Sequence, residues 1–283
     1  MPYFVLKNLN KVQEDKLKPI AIVKSEKGEK DPYHNMFLYL DMDDKPMKIG
    51  DVKVKSNEDR KTKVELPFHC KFEILPNCDP NKRSIYYISG ASGSGKSFIC
   101  RQIVDNYAKL YPKRKIMIVS KLDHDETLDG IKSKNMMRLD YKDFVENPPD
   151  INSPFFYNSF IIFDDIDAIT NKKEDMAIQT FMNDIAVTGR KHQEGQGNIS
   201  MAFISHYLSN YRKTRLILNE ATHYVLYPQS TSTNQLYYLL KSYLGMKRDE
   251  IRVLKKLGRW VCVHKNYPQH IISQYQAEIL NTD

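Results

Sequence analysis

The residues Gly90-Ala91-Ser92-Gly93-Ser94-Gly95-Lys96-Ser97 satisfy every fixed position of the pattern G-x-x-x-x-G-K-[ST]. A loop that wraps a polyphosphate needs glycines, because only they let the backbone approach the oxygens and turn its N–H groups inward. Lys96 would then meet the β- and γ-phosphates, and Ser97 would hold Mg²⁺ through its hydroxyl. The positive end of the helix that follows would face the same anion. The plain alternative is a flexible Gly/Ser-rich turn, and the flanks argue against it. Ser84 to Ser89 reads as a buried strand, and Phe98 to Leu110 carries apolar residues at helical spacing.

A phosphate loop by itself does not decide between hydrolysis and transfer, so a second, acidic site is required. Phe160-Ile161-Ile162-Phe163-Asp164-Asp165 is an apolar run ending in paired acids, as expected of an interior parallel strand whose carboxyl end points at the ligand. Asp164 would hold Mg²⁺ through its water shell, and Asp165 would orient or deprotonate the attacking water, with Asp167 in reserve. Asp165 is one methylene shorter than the glutamate many ATPases place there. Arg190, in Thr188-Gly189-Arg190-Lys191-His192, lies just before the next core strand and is suited to reach a γ-phosphate, its own or a neighbour's. His206, at the carboxyl end of that strand, stands where a polar sensor would report phosphate state. A solvated turn and a structural histidine are the ordinary alternatives for these two.

Positioning such a set calls for an α/β fold with a central, mainly parallel sheet of about five strands, of the additional-strand P-loop NTPase type. Beside the phosphate-loop strand should lie Lys115 to Ser120, Phe160 to Asp164, Ile199 to Ser205 and the partly polar Thr222 to Tyr227. Lys172 to Val187 reads as a helix. Residues 1–82 differ: Met36 to Leu40 and Lys63 to Leu66 read as short strands between charged turns, which makes a small β-rich region ahead of an ATPase domain at 83–283. Asp41-Met42-Asp43-Asp44 does not make a calcium loop, since Pro46 stands where the glycine belongs and Lys45 where an oxygen ligand belongs. Asp123-His124-Asp125-Glu126 fails the same pattern and reads as a solvated loop.

At 283 residues and 41% hydrophobic content the chain can bury a full α/β core with a smaller appendage. A net charge of +8 favours a polyanionic partner, although the lysines are scattered. Cys70, Cys78, Cys100 and Cys262 match no zinc spacing and suit a reducing compartment. No apolar run is long enough to span a bilayer, and no signal-peptide core is seen at the N-terminus.

In their order, the phosphate loop, Ile161 to Asp165, Gly189-Arg190 with His192, Asn198-Ile199-Ser200, and Arg215 with Asn219 resemble the virion genome-packaging ATPases of poxviruses and other large DNA viruses, members of the FtsK/HerA group. Arg259 to His264 and His270 to Ser273 resemble that family's closing hairpin. The resemblance runs from Ser84 to the end, with Gln193 to Gly197 inserted and His206 in place of the family's glutamine sensor. It implies ATP as the nucleotide and a homo-oligomeric ring around double-stranded DNA, contacted without regard to sequence. It also implies a capsid or portal-type partner, no membrane span, and residence in the host cytoplasm at the viral assembly site or in the virion. Tyr211-Arg212-Lys213-Thr214-Arg215 would be a basic loop for DNA phosphates. A nucleoside or polynucleotide kinase is the rival enzyme, but no arginine-rich lid segment stands out. A slow nucleotide-gated scaffold is the rival without catalysis.

Overall fold

The structure, a computed structural model, describes residues 2–8, 18–41, 61–190, 197–208 and 211–280. Met42 to Pro46, His192 and most of the inserted segment lie outside the described residues.

Six neighbouring strands of a ten-stranded sheet run parallel: β6 (Ile85–Ser89), β7 (Ile116–Ser120), β8 (Met136–Arg138), β9 (Phe160–Asp164), β10 (Ser200–Ser205) and β11 (His223–Leu226). Every residue of β6, β7, β9 and β10 is buried, which is why these strands read as continuous apolar runs rather than as alternating ones. The pleat divides them between two cores. Tyr86 and Ile88 of β6 face one core, with Ile99, Ile103 and Tyr107 of α1 (Lys96–Leu110). Ile85 and Tyr87 face the other, with Phe181 and Ile185 of α2 (Lys172–Thr188) and Ile217 of α3 (Tyr211–Glu220). Leu236 and Leu240 of α4 (Thr233–Leu244) and Ile251 of α5 (Arg248–Leu254) complete that second core.

β10 lies between β6 and β9. The expected five parallel strands are all present, but the sheet is larger. β8 extends it at one edge, and β12 (Val261–His264), β13 (His270–Ser273) and β14 (Gln276–Ile279) continue it antiparallel beyond β11. The stretch Tyr211 to Arg215, read as a basic loop, is instead the start of α3: Thr214, Ile217, Leu218 and Ala221 are buried at helical spacing, so the apolar stripe overrides the basic composition.

Four antiparallel strands, β1 (Tyr3–Lys7), β2 (Pro19–Ser25), β3 (Phe37–Asp41) and β5 (Cys70–Ile74), form a second sheet in the order β1-β3-β2-β5. Phe4, Val23, Leu38 and Phe72 on it join the α1 core. β4 (Lys63–Glu65) leaves this sheet and pairs with β14, and the turn between β13 and β14 holds the same region by two backbone bonds, Leu66 N–H to Tyr275 C=O (2.9 Å) and Phe72 N–H to Gln274 C=O (2.9 Å).

Candidate active site

The phosphate loop leaves the carboxyl end of β6 and enters α1. Gly93 and Gly95 hold φ of 72° and 105°, a left-handed backbone that a side chain would strain. Gly90 is required for space: a Cβ there would stand 2.8 Å from both Ser94 Oγ and Tyr227 Cδ2. Ser94 Oγ is buried without a partner, an oxygen that a ligand in the loop would satisfy.

Lys96 is the first residue of α1 and is buried; its ammonium donates to Ala91 C=O at 3.0 Å and lies 3.4 Å from His206 Nδ1. Burial lowers the Lys96 pKa, and Asp164 and Asp165 oppose that shift. His206 Nε2 meets Asp165 Oδ1 at 2.8 Å. An ammonium can only donate, so the lysine makes Nδ1 the acceptor and leaves Nε2–H to donate to the carboxylate. A three-member chain, Lys96 to His206 to Asp165, therefore joins the phosphate loop to the second acid.

Asp164 ends β9 and is 3% exposed. Burial first, then the charges of Asp165 and Asp125, push its carboxyl up to about 7 against the pull of His206 and Lys96. Asp165 sits at φ 52° just outside the strand, a left-handed conformation that aspartate tolerates better than most residues. Asp167 reaches the carboxyl end of β10: its Oδ2 accepts from Ser205 Oγ at 2.8 Å, and its Oδ1 is buried without a partner. The loop read as merely solvated brings Asp125 within electrostatic range of Asp164.

Arg190 is not brought to this site. It lines a cleft of about 440 Å³ with Arg83, Asn198, Thr222 and Lys265, at the amino ends of β6, β10 and β11. With a rise of about 3.3 Å per residue, the length of β10 puts roughly 20 Å between that edge and the phosphate loop. Arg83 caps α2 there, donating to Ile185 C=O and to Ala186 C=O (2.7 Å), while burial and the nearby Arg190 lower its pKa to about 10.

One arginine that the spacing gave no reason to single out does reach the loop. Arg259, just ahead of β12, donates from Nε to Ser94 C=O (3.0 Å) and from Nη2 to Gly93 C=O (3.4 Å). A separate cluster gathers Asp31, His69 and Cys70, with Asp31 Oδ2 accepting from Ser25 Oγ (2.7 Å) and paired with His69 Nε2 (2.6 Å). Its polar atoms satisfy one another and pin the loop after β2.

No family model matches the chain. Protein V3 of Sputnik virophage is 34% identical over 255 residues, covering 86% of this chain and 99% of V3. The chain belongs to the V3 family. Among solved structures, the DNA-packaging ATPase B204 of Sulfolobus turreted icosahedral virus is similar at 18% identity with a TM-score of 0.44, over 69% of this chain and 98% of B204. The conjugation coupling protein TcpA of pCW3, in a form with ATPγS, is similar at 12% identity and a TM-score of 0.42, over 89% of this chain and 76% of TcpA. With TM-scores below 0.5, the function of this V3-family chain is argued from the site itself.

Proposed function

We propose that the chain is an ATP-hydrolysing motor that moves double-stranded DNA into a viral capsid. The observation that carries the hydrolase part is the Lys96–His206–Asp165 chain at the carboxyl ends of β6, β10 and β9. The position of β10 between β6 and β9 supports the additional-strand type of P-loop fold. Support for the packaging part comes from the order of the phosphate loop, the acid strand, Gly189-Arg190, Asn198-Ile199-Ser200 and Arg215 with Asn219, and the virophage origin of V3 is in keeping with a viral role.

The residues divide the work. The loop from Gly90 to Ser97 wraps the phosphates with its backbone N–H groups, and Lys96 exchanges its Ala91 contact for the β- and γ-oxygens. Ser97 and Asp164, a hydroxyl and a carboxylate, form a donor set that suits a hard divalent cation. Mg²⁺, when bound, neutralises charge on the β- and γ-oxygens. Asp165 orients a water in line with the γ-phosphorus and takes its proton as the new P–O bond forms and ADP leaves. His206 holds the Asp165 carboxylate and shares Lys96 with the phosphate, so loss or gain of the γ-phosphate changes what His206 can hold.

Arg190, a strand's length from its own loop, acts in this proposal on the site of the next subunit of a ring. Hydrolysis then depends on assembly. A capsid or portal-type protein at the assembly site in the host cytoplasm is the partner such a motor would meet.

Steady-state ATP hydrolysis with and without duplex DNA, beside Lys96→Ala and Asp165→Asn, tests the reading. DNA-stimulated turnover that both substitutions abolish is the expected result. Turnover that requires a phosphate acceptor would assign the site to a kinase instead, and nucleotide binding with no turnover at all would make the protein a scaffold.

A further inference from the structure

We infer that Arg259 is a positioning residue of the nucleotide site, holding the phosphate loop in its binding shape from the closing hairpin; this rests on the nucleotide-binding reading above. A phosphate loop turns its N–H groups toward the anion, so its carbonyls face outward and need other donors. Lys96 meets Ala91 C=O only until nucleotide takes its ammonium, whereas the Arg259 guanidinium takes up Gly93 and Ser94 C=O, 3.4 and 3.0 Å away. A Cβ built on Gly95 would stand 3.4 Å from Arg259 Nη2, so the guanidinium also lies against the last glycine of the loop. Arginine suits this role because its planar fork serves two acceptors in one fixed geometry, which a lysine ammonium does not reproduce. The guanidinium is exposed on its other side, and its full positive charge adds to the field at the phosphate position.

The arm that carries Arg259 is anchored in the N-terminal region. A Cβ built on Gly258, which holds φ 110°, would stand 3.9 Å from Gln274 Cβ and Tyr275 Cδ2, so the arm runs beside the turn whose Gln274 and Tyr275 carbonyls receive the N–H groups of Phe72 and Leu66. Residues separated by more than 160 positions from the loop thus set its shape, and displacement of the β13–β14 turn would withdraw the guanidinium.

The test compares wild type with Arg259→Ala and Arg259→Lys by titration with a fluorescent ATP analogue, by the split between KM and kcat, and by melting without nucleotide. For Arg259→Ala the expected result is weaker nucleotide binding by about tenfold or more, with KM rising more than kcat falls, and a nucleotide-free melting temperature close to wild type. Arg259→Lys should recover only part of the loss, and millimolar guanidinium added to Arg259→Ala should recover more of it than added ammonium does. Arg259→Ala binding like wild type, or losing affinity only in step with its own melting temperature and without guanidinium rescue, overturns the inference. If wild type binds no triphosphate, or binds it no better than Lys96→Ala, the nucleotide-site reading fails instead.

Discussion

His223, His264 and His270 occupy one register level on β11, β12 and β13, facing a cavity of about 360 Å³ between the two sheets. Their rings form a row: His223 to His264 at 4.7 Å, His264 to His270 at 4.6 Å in a stack, with Tyr86 stacked on His223 at 4.5 Å and Phe4 edge-on to His270. Burial first, then the neighbouring imidazoles, lowers all three pKa values except that of His264, where burial alone does so; His270 falls to about 3. These groups stay neutral in the fold while the unfolded chain takes up protons below about 6.5, so their contribution is complete above that pH and is lost as pH falls toward the folded values. For His270 alone, the unfolded imidazole is half protonated at pH 6.5 and the slope reaches 1.36 kcal/mol per unit only below that, so going to pH 4.5 costs about 2 kcal/mol out of a total stability of about 5–15 kcal/mol. Asp164 works in the opposite direction across the whole of this range, because its raised pKa favours the fold as it protonates. Asp79 beside the cavity, paired with Lys18 at 2.9 Å, has its pKa lowered and titrates below the range. The difference between variants, not the absolute curve, is therefore the observable. Urea unfolding followed through the buried Trp260, the single tryptophan, should give a mean stability-against-pH slope that is shallower in His270→Phe by about 1 kcal/mol per pH unit between pH 6.5 and 4.5. A slope unchanged by that substitution refutes the neutral-row argument.

His206→Ala removes the link between Lys96 and Asp165; the loss of a hydrogen bond to a charged group, about 1.5–3 kcal/mol, should lower kcat by roughly ten- to a hundredfold in steady-state hydrolysis. Gly90→Ala places a methyl 2.8 Å from Ser94 Oγ and Tyr227 Cδ2, an overpacking of about 1–3 kcal/mol, so a melting temperature lower by a few degrees together with weakened triphosphate binding is expected in thermal and titration assays. Arg190→Ala should be inactive alone, yet mixing it with inactive Lys96→Ala should restore part of the hydrolysis, because an intact loop on one subunit can meet an intact arginine on the next; a mixture as inactive as its components rules out that arrangement.

β6, β7, β9 and β10 are buried along their whole length, and that turns composition directly into position in the sheet. The phosphate loop and the paired acids sit at the carboxyl ends of their strands for the same reason. α3 was obscured because its first turn is basic, and its buried face, Thr214, Ile217, Leu218 and Ala221, includes a polar residue that breaks the apolar pattern. Arg259 meets a loop 165 residues away, and the Asp31–His69–Cys70 cluster closes over a separation of about forty positions. No spacing rule reaches contacts that depend on how β12 to β14 fold back onto the N-terminal region.

The place of Arg190 follows from topology alone and shows where local reading needs that further step. β9 and β10 are neighbouring parallel strands, so α2 must carry the chain back from the carboxyl edge to the amino edge before β10 can begin. Residues at the carboxyl end of β9 therefore stand at the nucleotide edge, as Asp164 and Asp165 do, and a residue just after α2, on the way into β10, stands at the opposite edge, as Arg190 does. Two residues only 25 positions apart end on opposite sides of one sheet. At its own nucleotide edge the chain has Lys96 and Arg259 as cations, one inside the loop and one outside it. In the ring proposed above, the cation at the far edge would serve the phosphate of a neighbouring subunit, since its own loop lies a strand's length away.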